Sequence, residues 1–353
     1  MKDYPLKQKK MDQQFANKIV WLNLLFTFQI VFRHTSVVWG QPEGISLHLL
    51  TWNRQATYIS LAFFFFTSGF LFFYNFTIKD YVPKLKKRVR TLLLPLVIWN
   101  CIAYVCLNIY RMVWGDDVIR GLKNFLLGFT LANQDGLILF DGPLWYMLRL
   151  FSYVLLTPVF YYLLRRKVLG FCSVLVIFGM DLLVFHGDWF SFSKWLFIYS
   201  LGAYLALNYG SAVFESSSYD SSCIARIMGI GAALIALSSV AIGLSEIDVG
   251  KYGEWFTAFY GSLIVLCVFA LLRPISLPVL PAWIRGFAFF VYALHYIILL
   301  YVKQLLLPLV RAVNGGNVAW ILHGCVVILI CFAAFQCVRR APKVSSLLAG
   351  GRS

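Results

Sequence analysis

Charge is what this chain has least of. Only 13% of its 353 residues are charged, and 15 of those are acidic against 31 basic. Soluble domains carry about a quarter charged residues, so a free-standing soluble fold is excluded. Paired cysteines are missing too: the eight cysteines lie mostly within apolar runs, and none forms a C-x-x-C pair. Such residues act as small hydrophobes, which argues against a disulfide framework or a metal site. There is no low-complexity segment, no internal repeat, and no polar linker long enough to separate two domains. No small-residue cleavage site follows the first apolar run, so no signal peptide is expected.

What is abundant is apolar surface. The chain is 60% hydrophobic and 18% aromatic, with a mean hydropathy of +0.76. The expected fold is an all-α integral membrane protein. A spanning helix needs about 20 mostly apolar residues. Windows of that size give ten: Ile19–Trp39, Ala56–Phe76, Thr91–Tyr110, Pro143–Leu164, Val168–His186, Phe190–Asn208, Ser222–Leu244, Trp255–Leu272, Gly286–Leu307 and Val318–Val338. The net charge of +16 would raise nucleic acid as a partner in a soluble chain. Here the basic residues cluster in short loops between apolar runs, which is the signature of topology, and no nucleic-acid partner is expected. With both termini cytoplasmic, the outer loops hold only Arg54, Arg111, Arg120, Lys123, Lys251 and Arg311, and most other basic residues fall inside. The chain then divides into a cytoplasmic tail 1–18, a transmembrane domain 19–338 and a cytoplasmic tail 339–353. Membrane lipids are its expected surroundings; oligomeric state is not legible.

The longest outer loop lies between Tyr110 and Pro143. Its middle, VIRGLKNFLLGFTLA, has helical spacing but is too short to span. It reads as an interfacial or re-entrant helix, with an amphipathic surface helix as the plainer alternative.

Ionisable groups within spans are costly and point to function by default. They are Arg33, His34, Arg149, Asp181, Lys194, His295 and Lys303. Asp181, Lys194 and Lys303 lie near outer helix ends, where they reach headgroups. His34 lies ~22 Å above the inner end of its helix at 1.5 Å per residue, below the outer interface. Imidazole takes and returns a proton near neutral pH; the structural alternative is a histidine satisfied by a neighbouring helix. Asn23, eleven residues earlier, shares the His34 face, whereas Arg33 points ~100° away and can snorkel.

Two further stretches carry chemistry. In FFFFTSGFLFF, Thr67, Ser68 and Gly69 form a small-residue notch in a wall of phenylalanine. Such notches admit either a second helix or a slim ligand. In KDYVPKLKKRVRTLLLP, residues Lys84, Lys86, Lys87, Arg88 and Arg90 form a basic collar. Such a collar suits a phosphate-bearing ligand, or serves topology and anionic lipid.

In this order these features resemble membrane acyltransferase family 3, bacterial multi-pass enzymes that acylate sugars and surface glycans. The likeness runs through almost the whole chain. WLNLLFTFQIVFRHTSV resembles the first-helix motif, in which a basic residue precedes a His by eleven positions. YISLAFFFFTSGFLF is similar to the Phe-rich second helix, and VPKLKKRVRTLLLPLVIWN to the basic loop and third helix. GPLWYMLRLFSYVLLTPVFYYL, WLFIYSLGAYLALN and FFVYALHYIILLYVK resemble later helices of the family. Asn23 stands where the family usually has Arg, and Met147-Leu148-Arg149-Leu150 lacks the acid that often follows the Trp145 motif.

The resemblance implies acyl transfer from cytosolic acetyl-CoA or another acyl-CoA to a carbohydrate or glycolipid hydroxyl, in the bacterial inner (plasma) membrane and with no metal. His34 takes the place of the catalytic His, with Asn23, Arg33 and Ser68 as candidate oxyanion donors. Ser68, Gly69, Lys87, Arg88 and Arg90 occupy the coenzyme positions, and Trp145, Arg149, Tyr292 and His295 the substrate-side positions. Two readings compete with this one: a glycan or lipid transporter without covalent chemistry, and a catalytically degenerate member of the family.

Overall fold

The computed structural model describes residues 11–38, 47–129, 139–181, 192–210, 231, 250–313 and 316–352. Among these, regular structure is helical throughout. The α-helices are α1 (Gln13–Val38), α2 (Leu47–Phe73), α3 (Tyr81–Arg88), α4 (Leu94–Trp114), α5 (Leu122–Leu127), α6 (Trp145–Leu155) and α7 (Thr157–Leu164). They continue with α8 (Lys167–Met180), α9 (Phe192–Tyr209), α10 (Gly250–Leu272), α11 (Trp283–Val313), α12 (Gly316–Arg339) and α13 (Pro342–Leu348).

Five stretches among the described residues are long and apolar enough to cross a membrane: Gln13–Ser36, Leu49–Phe73, Ile78–Trp114, Trp283–Pro308 and Gly316–Arg339. A bent pair, Gly142–Leu155 with Thr157–Leu164, makes a sixth if it counts as one span. The expected window Ser222–Leu244, apart from residue 231, and the outer part of Val168–His186 lie outside the described residues.

Two expected boundaries change, each for a local reason. The Pro143–Leu164 window is not one rod: it breaks at Leu156 with a bend of 62°. Pro158, in the first turn of α7, has no N–H to carry the α6 ladder across the break. The Thr91–Tyr110 window is the upper part of a longer run, because a π-helical turn at Val89–Leu93 joins α3 to α4. There the Leu94 N–H reaches back to the Val89 carbonyl, one residue further than in an α-helix. The 339–353 segment is itself folded in part. It forms α13, and the Trp99 indole N–H donates to the Leu348 carbonyl at 2.9 Å.

The chain forms two compact units. The first comprises Met1–Leu22, Tyr58–Pro83 and Leu155–Leu280. Its core is the phenylalanine wall of α2: Phe63, Phe65, Phe66, Phe70 and Phe73 are almost fully buried. Phe65 stacks on Trp195 with centroids 5.2 Å apart, and Phe63 and Phe66 pack on Phe269 of α10. Asn17 ties α1 into this unit by donating to the carbonyls of Leu277 and Pro278 at 2.8 and 2.7 Å.

The second unit comprises Asn23–Thr57, Lys84–Val154 and Pro281–Ser353. Within it α1 and α11 run side by side in the same direction, because Phe28 meets Phe287 and His34 meets His295. A polar clamp fixes α1 to α2: Gln29 Nε2 donates to the Asn53 backbone and side-chain oxygens at 3.0 and 2.9 Å. Asn53 Nδ2 in turn donates to Ser36 Oγ at 2.7 Å and to the Phe32 carbonyl at 3.1 Å. In an apolar setting such amide bonds hold helices together and fix their register. From the other side Trp320 of α12 donates to the Phe32 carbonyl at 2.8 Å. His34 sits between these two braces, on a stretch of α1 that cannot rotate freely.

Candidate functional site

All of the site described below lies in the second unit. The His34 ring centroid is 5.2 Å from that of His295 and 5.5 Å from that of Tyr296. His34 is half-buried and His295 is fully buried. His295 Nδ1 lies 3.0 Å from the Val291 carbonyl and 2.8 Å from that of Tyr292. Carbonyl oxygens only accept, so Nδ1 carries the proton in these contacts. In the neutral ring Nε2 then presents a lone pair, and it is buried with no hydrogen-bond partner among the described residues. The backbone of α11 therefore fixes the tautomer of one member of a histidine pair.

The histidine pair is bordered by the segment before α6. Asn100 of α4, fully buried, donates from Nδ2 to the Gly128 carbonyl at 2.7 Å and accepts from the Asp141 N–H at 3.2 Å. Asn100 lies about 21 Å of helix rise from the Trp114 end of α4. The segment after α4 thus descends along α4, as Asn108 and Tyr104 bonds to Ile119 also require. Among its described residues the α-helix is the six-residue α5, and Gly128 just after it packs directly against the Phe140 ring.

The descent delivers Asp141, which sequence reading placed in an outer loop. Its carboxylate is fully buried, and neither oxygen has a hydrogen-bond partner among the described residues. Tyr292 donates to the Pro143 carbonyl, and the Gly142 Cα faces the Tyr296 ring closely enough that an added Cβ would sit 3.7 Å from it. Asp141, Tyr292, Tyr296, His295 and His34 therefore form one neighbourhood. The missed signal was a lone acid in an apolar stretch, FDGPLW, a costly placement that normally marks function. Asn100→Ala is expected to lower stability by ~1–3 kcal/mol by leaving buried groups unpaired. A reduced melting temperature of the detergent-solubilised protein would report it.

The remaining candidates separate by position. Asn23 lies about 16 Å of rise before His34, toward the Trp283 end of α11. Arg33 neighbours His34 in sequence and is half-buried. Trp145 is buried at the start of α6, and Tyr146 beside it packs edge-on against Tyr292 at 6.1 Å; Arg149 follows one turn later. Of the basic collar, Arg88 is half-buried, whereas Lys87 and Arg90 are exposed, with Arg90 inside the π turn. Ser68 and Gly69 belong to the first unit, where α9 fills the notch. A Cβ on Gly69 would be driven into the Tyr199 carbonyl, and one on Gly202 into the Phe66 carbonyl. His323, which sequence reading passed over, is a buried histidine satisfied by a neighbouring helix, through Nε2 to the Leu299 carbonyl at 3.0 Å.

Among the described residues, no group of three or more His, Cys, Asp or Glu could hold a metal ion. The chemistry this arrangement offers is proton transfer by imidazole and carboxylate within helices. The protein is thus a multi-pass helical membrane protein, with a histidine pair and a buried aspartate inside one of its units. The acyltransferase domain family matches residues 19–336, and the chain belongs to membrane acyltransferase family 3. No curated protein matches the chain, and no solved structure does.

Proposed function

We propose that this protein is an O-acyltransferase of the bacterial inner membrane that moves an acyl group, acetyl in the simplest case, from cytosolic acyl-CoA to a carbohydrate hydroxyl. The observation that carries this reading is the approach of His34 to His295, 5.2 Å apart, in a chain of this family. His34 takes the proton of the acceptor hydroxyl as its oxygen attacks the thioester carbonyl. The C–O bond forms and the C–S bond breaks. The proton returns from the imidazole to the departing thiolate, leaving an ester and free CoA. Asp141 and the tyrosines beside it can accept and donate hydrogen bonds to a polyhydroxylated acceptor. Lys87, Arg88 and Arg90 are assigned to the phosphates of the coenzyme.

The test is coenzyme binding and its product. Arg88→Ala and Arg90→Ala are each expected to weaken acetyl-CoA binding about tenfold, the loss of ~1.4 kcal/mol from a charge-assisted contact. Cell-envelope glycans should carry ester-linked acyl groups only when the protein is present. Absence of coenzyme binding, with glycan esters unchanged, would favour a transporter without covalent chemistry.

A further inference from the structure

The segment after α12 carries an arginine, Arg352, that neither the family likeness nor the basic collar includes. Helix α13 closes on Gly350 and Gly351, whose φ values of 61° and 70° are left-handed and natural only for glycine. The Gly351 N–H caps the helix by donating to the Ser346 carbonyl at 2.7 Å. This turn sends Arg352 back against α4 and α11. Its guanidinium lies over the Phe289 ring, 4.3 Å from the centroid, an arrangement that holds the planar group by cation–π attraction.

The seat is prepared by the sequence of α4. Pro95 has no N–H, so the carbonyl of Thr91, four residues earlier, has no α-helical donor. Arg352 Nη1 lies 3.4 Å from that carbonyl, and equally far from the carbonyls of Ala349 and Gly350. All three contacts are long for an N–H···O bond, and all use one nitrogen. A guanidinium has five donors in a fixed fork. Among the described residues no carboxylate pairs with it. Arg88, one turn before Thr91, lies near enough to repel it. Burial first, and then Arg88, lower its pKa to about 10, so it remains a cation at neutral pH. A guanidinium removed from water with only long carbonyl contacts is unfavourable unless an anion joins it. On α11 this place is also connected to the histidine pair: from Phe289 to Tyr296 is about 10 Å of rise, with Tyr292 between them.

We propose that Arg352, together with Arg88, forms a phosphate-binding site for the nucleotide end of the acyl-CoA donor. The assignment rests on the donor class given under the proposed function. It makes α13 and its diglycine turn part of the binding machinery, so that the docked segment completes the basic collar.

The experiment uses the full chain in phosphatidylcholine nanodiscs and two thioesters, acetyl-CoA and S-acetylpantetheine, which lacks the nucleotide and its phosphates. Arg352→Ala should weaken acetyl-CoA binding about tenfold and leave S-acetylpantetheine binding unchanged. Arg352→Lys should recover part of the loss, because it restores the charge but not the fork. Equal weakening of both esters, or of neither, overturns the phosphate role. If Arg352→Ala sheds co-purifying phosphatidylglycerol while acetyl-CoA affinity stays put, the anion is a lipid headgroup and the proposal is likewise overturned. A wild-type protein that binds neither thioester would remove the acyl-CoA donor itself, which is a different result from losing Arg352 alone.

Discussion

His34→Ala is expected to reduce acyl transfer from labelled acetyl-CoA by ~10²–10⁴-fold, the usual contribution of a positioned general base. The loss should fall on kcat. Acetyl-CoA affinity should hardly move, because Phe289, which seats Arg352, is about 9 Å of helix rise from His295. The protein should still fold, since the braces around His34 do not use its side chain. Gln29, Asn53 and Ser36 hold α1 to α2, and Trp320 holds the Phe32 carbonyl. Transfer at the wild-type rate by a folded His34→Ala protein would sink the mechanism. Transfer lost in His295→Ala but kept in His34→Ala would move the base to His295, whose Nε2 lone pair is already defined by its Nδ1 contacts.

Gly69→Ala should have the largest effect on stability, although it adds one methyl group. That methyl would occupy the position of the Tyr199 carbonyl, and Gly202 faces the Phe66 carbonyl in the same way. Two backbones in mutual contact cannot move aside as a flexible side chain would. The cost is expected at or above the top of the ~1–3 kcal/mol range for overpacking. It should appear as a lower melting temperature or loss of the monodisperse peak on gel filtration. A Gly69→Ala protein of unchanged stability that no longer binds acetyl-CoA would instead make the notch a ligand site. The sequence left helix and slim ligand as equal alternatives for that notch; the structure places a helix there.

Much of the architecture was legible because a bilayer imposes one strong rule. Backbone polar groups in hydrocarbon must be satisfied internally, so long apolar runs become helices. That rule located α1, α2, α4, α11 and α12, with helix ends one to nine residues from the expected ones. It did not show that the Pro143–Leu164 run bends, since hydropathy is blind to the break a proline introduces. The candidate site was legible in part. His34 stood out because an imidazole within an apolar helix needs a reason, and His295 because of the family likeness. Asp141 and Arg352 did not stand out, for opposite reasons: one was counted with an outer loop, the other with a polar tail.

The sequence by itself determined that the chain is helical and membrane-embedded, which family it belongs to, and that His34 is an ionisable group within an apolar run. These follow from composition, run length and motif order, properties that a linear reading holds in full. Only the tertiary structure decided that the loop after α4 returns to Asn100 and buries Asp141, that α9 fills the Gly69 notch, and that the last segment seats Arg352 on the Thr91 carbonyl. Each of those depends on contacts between residues far apart in the chain, where the partner of an amide, a glycine or a guanidinium is set by packing and has no trace in local pattern.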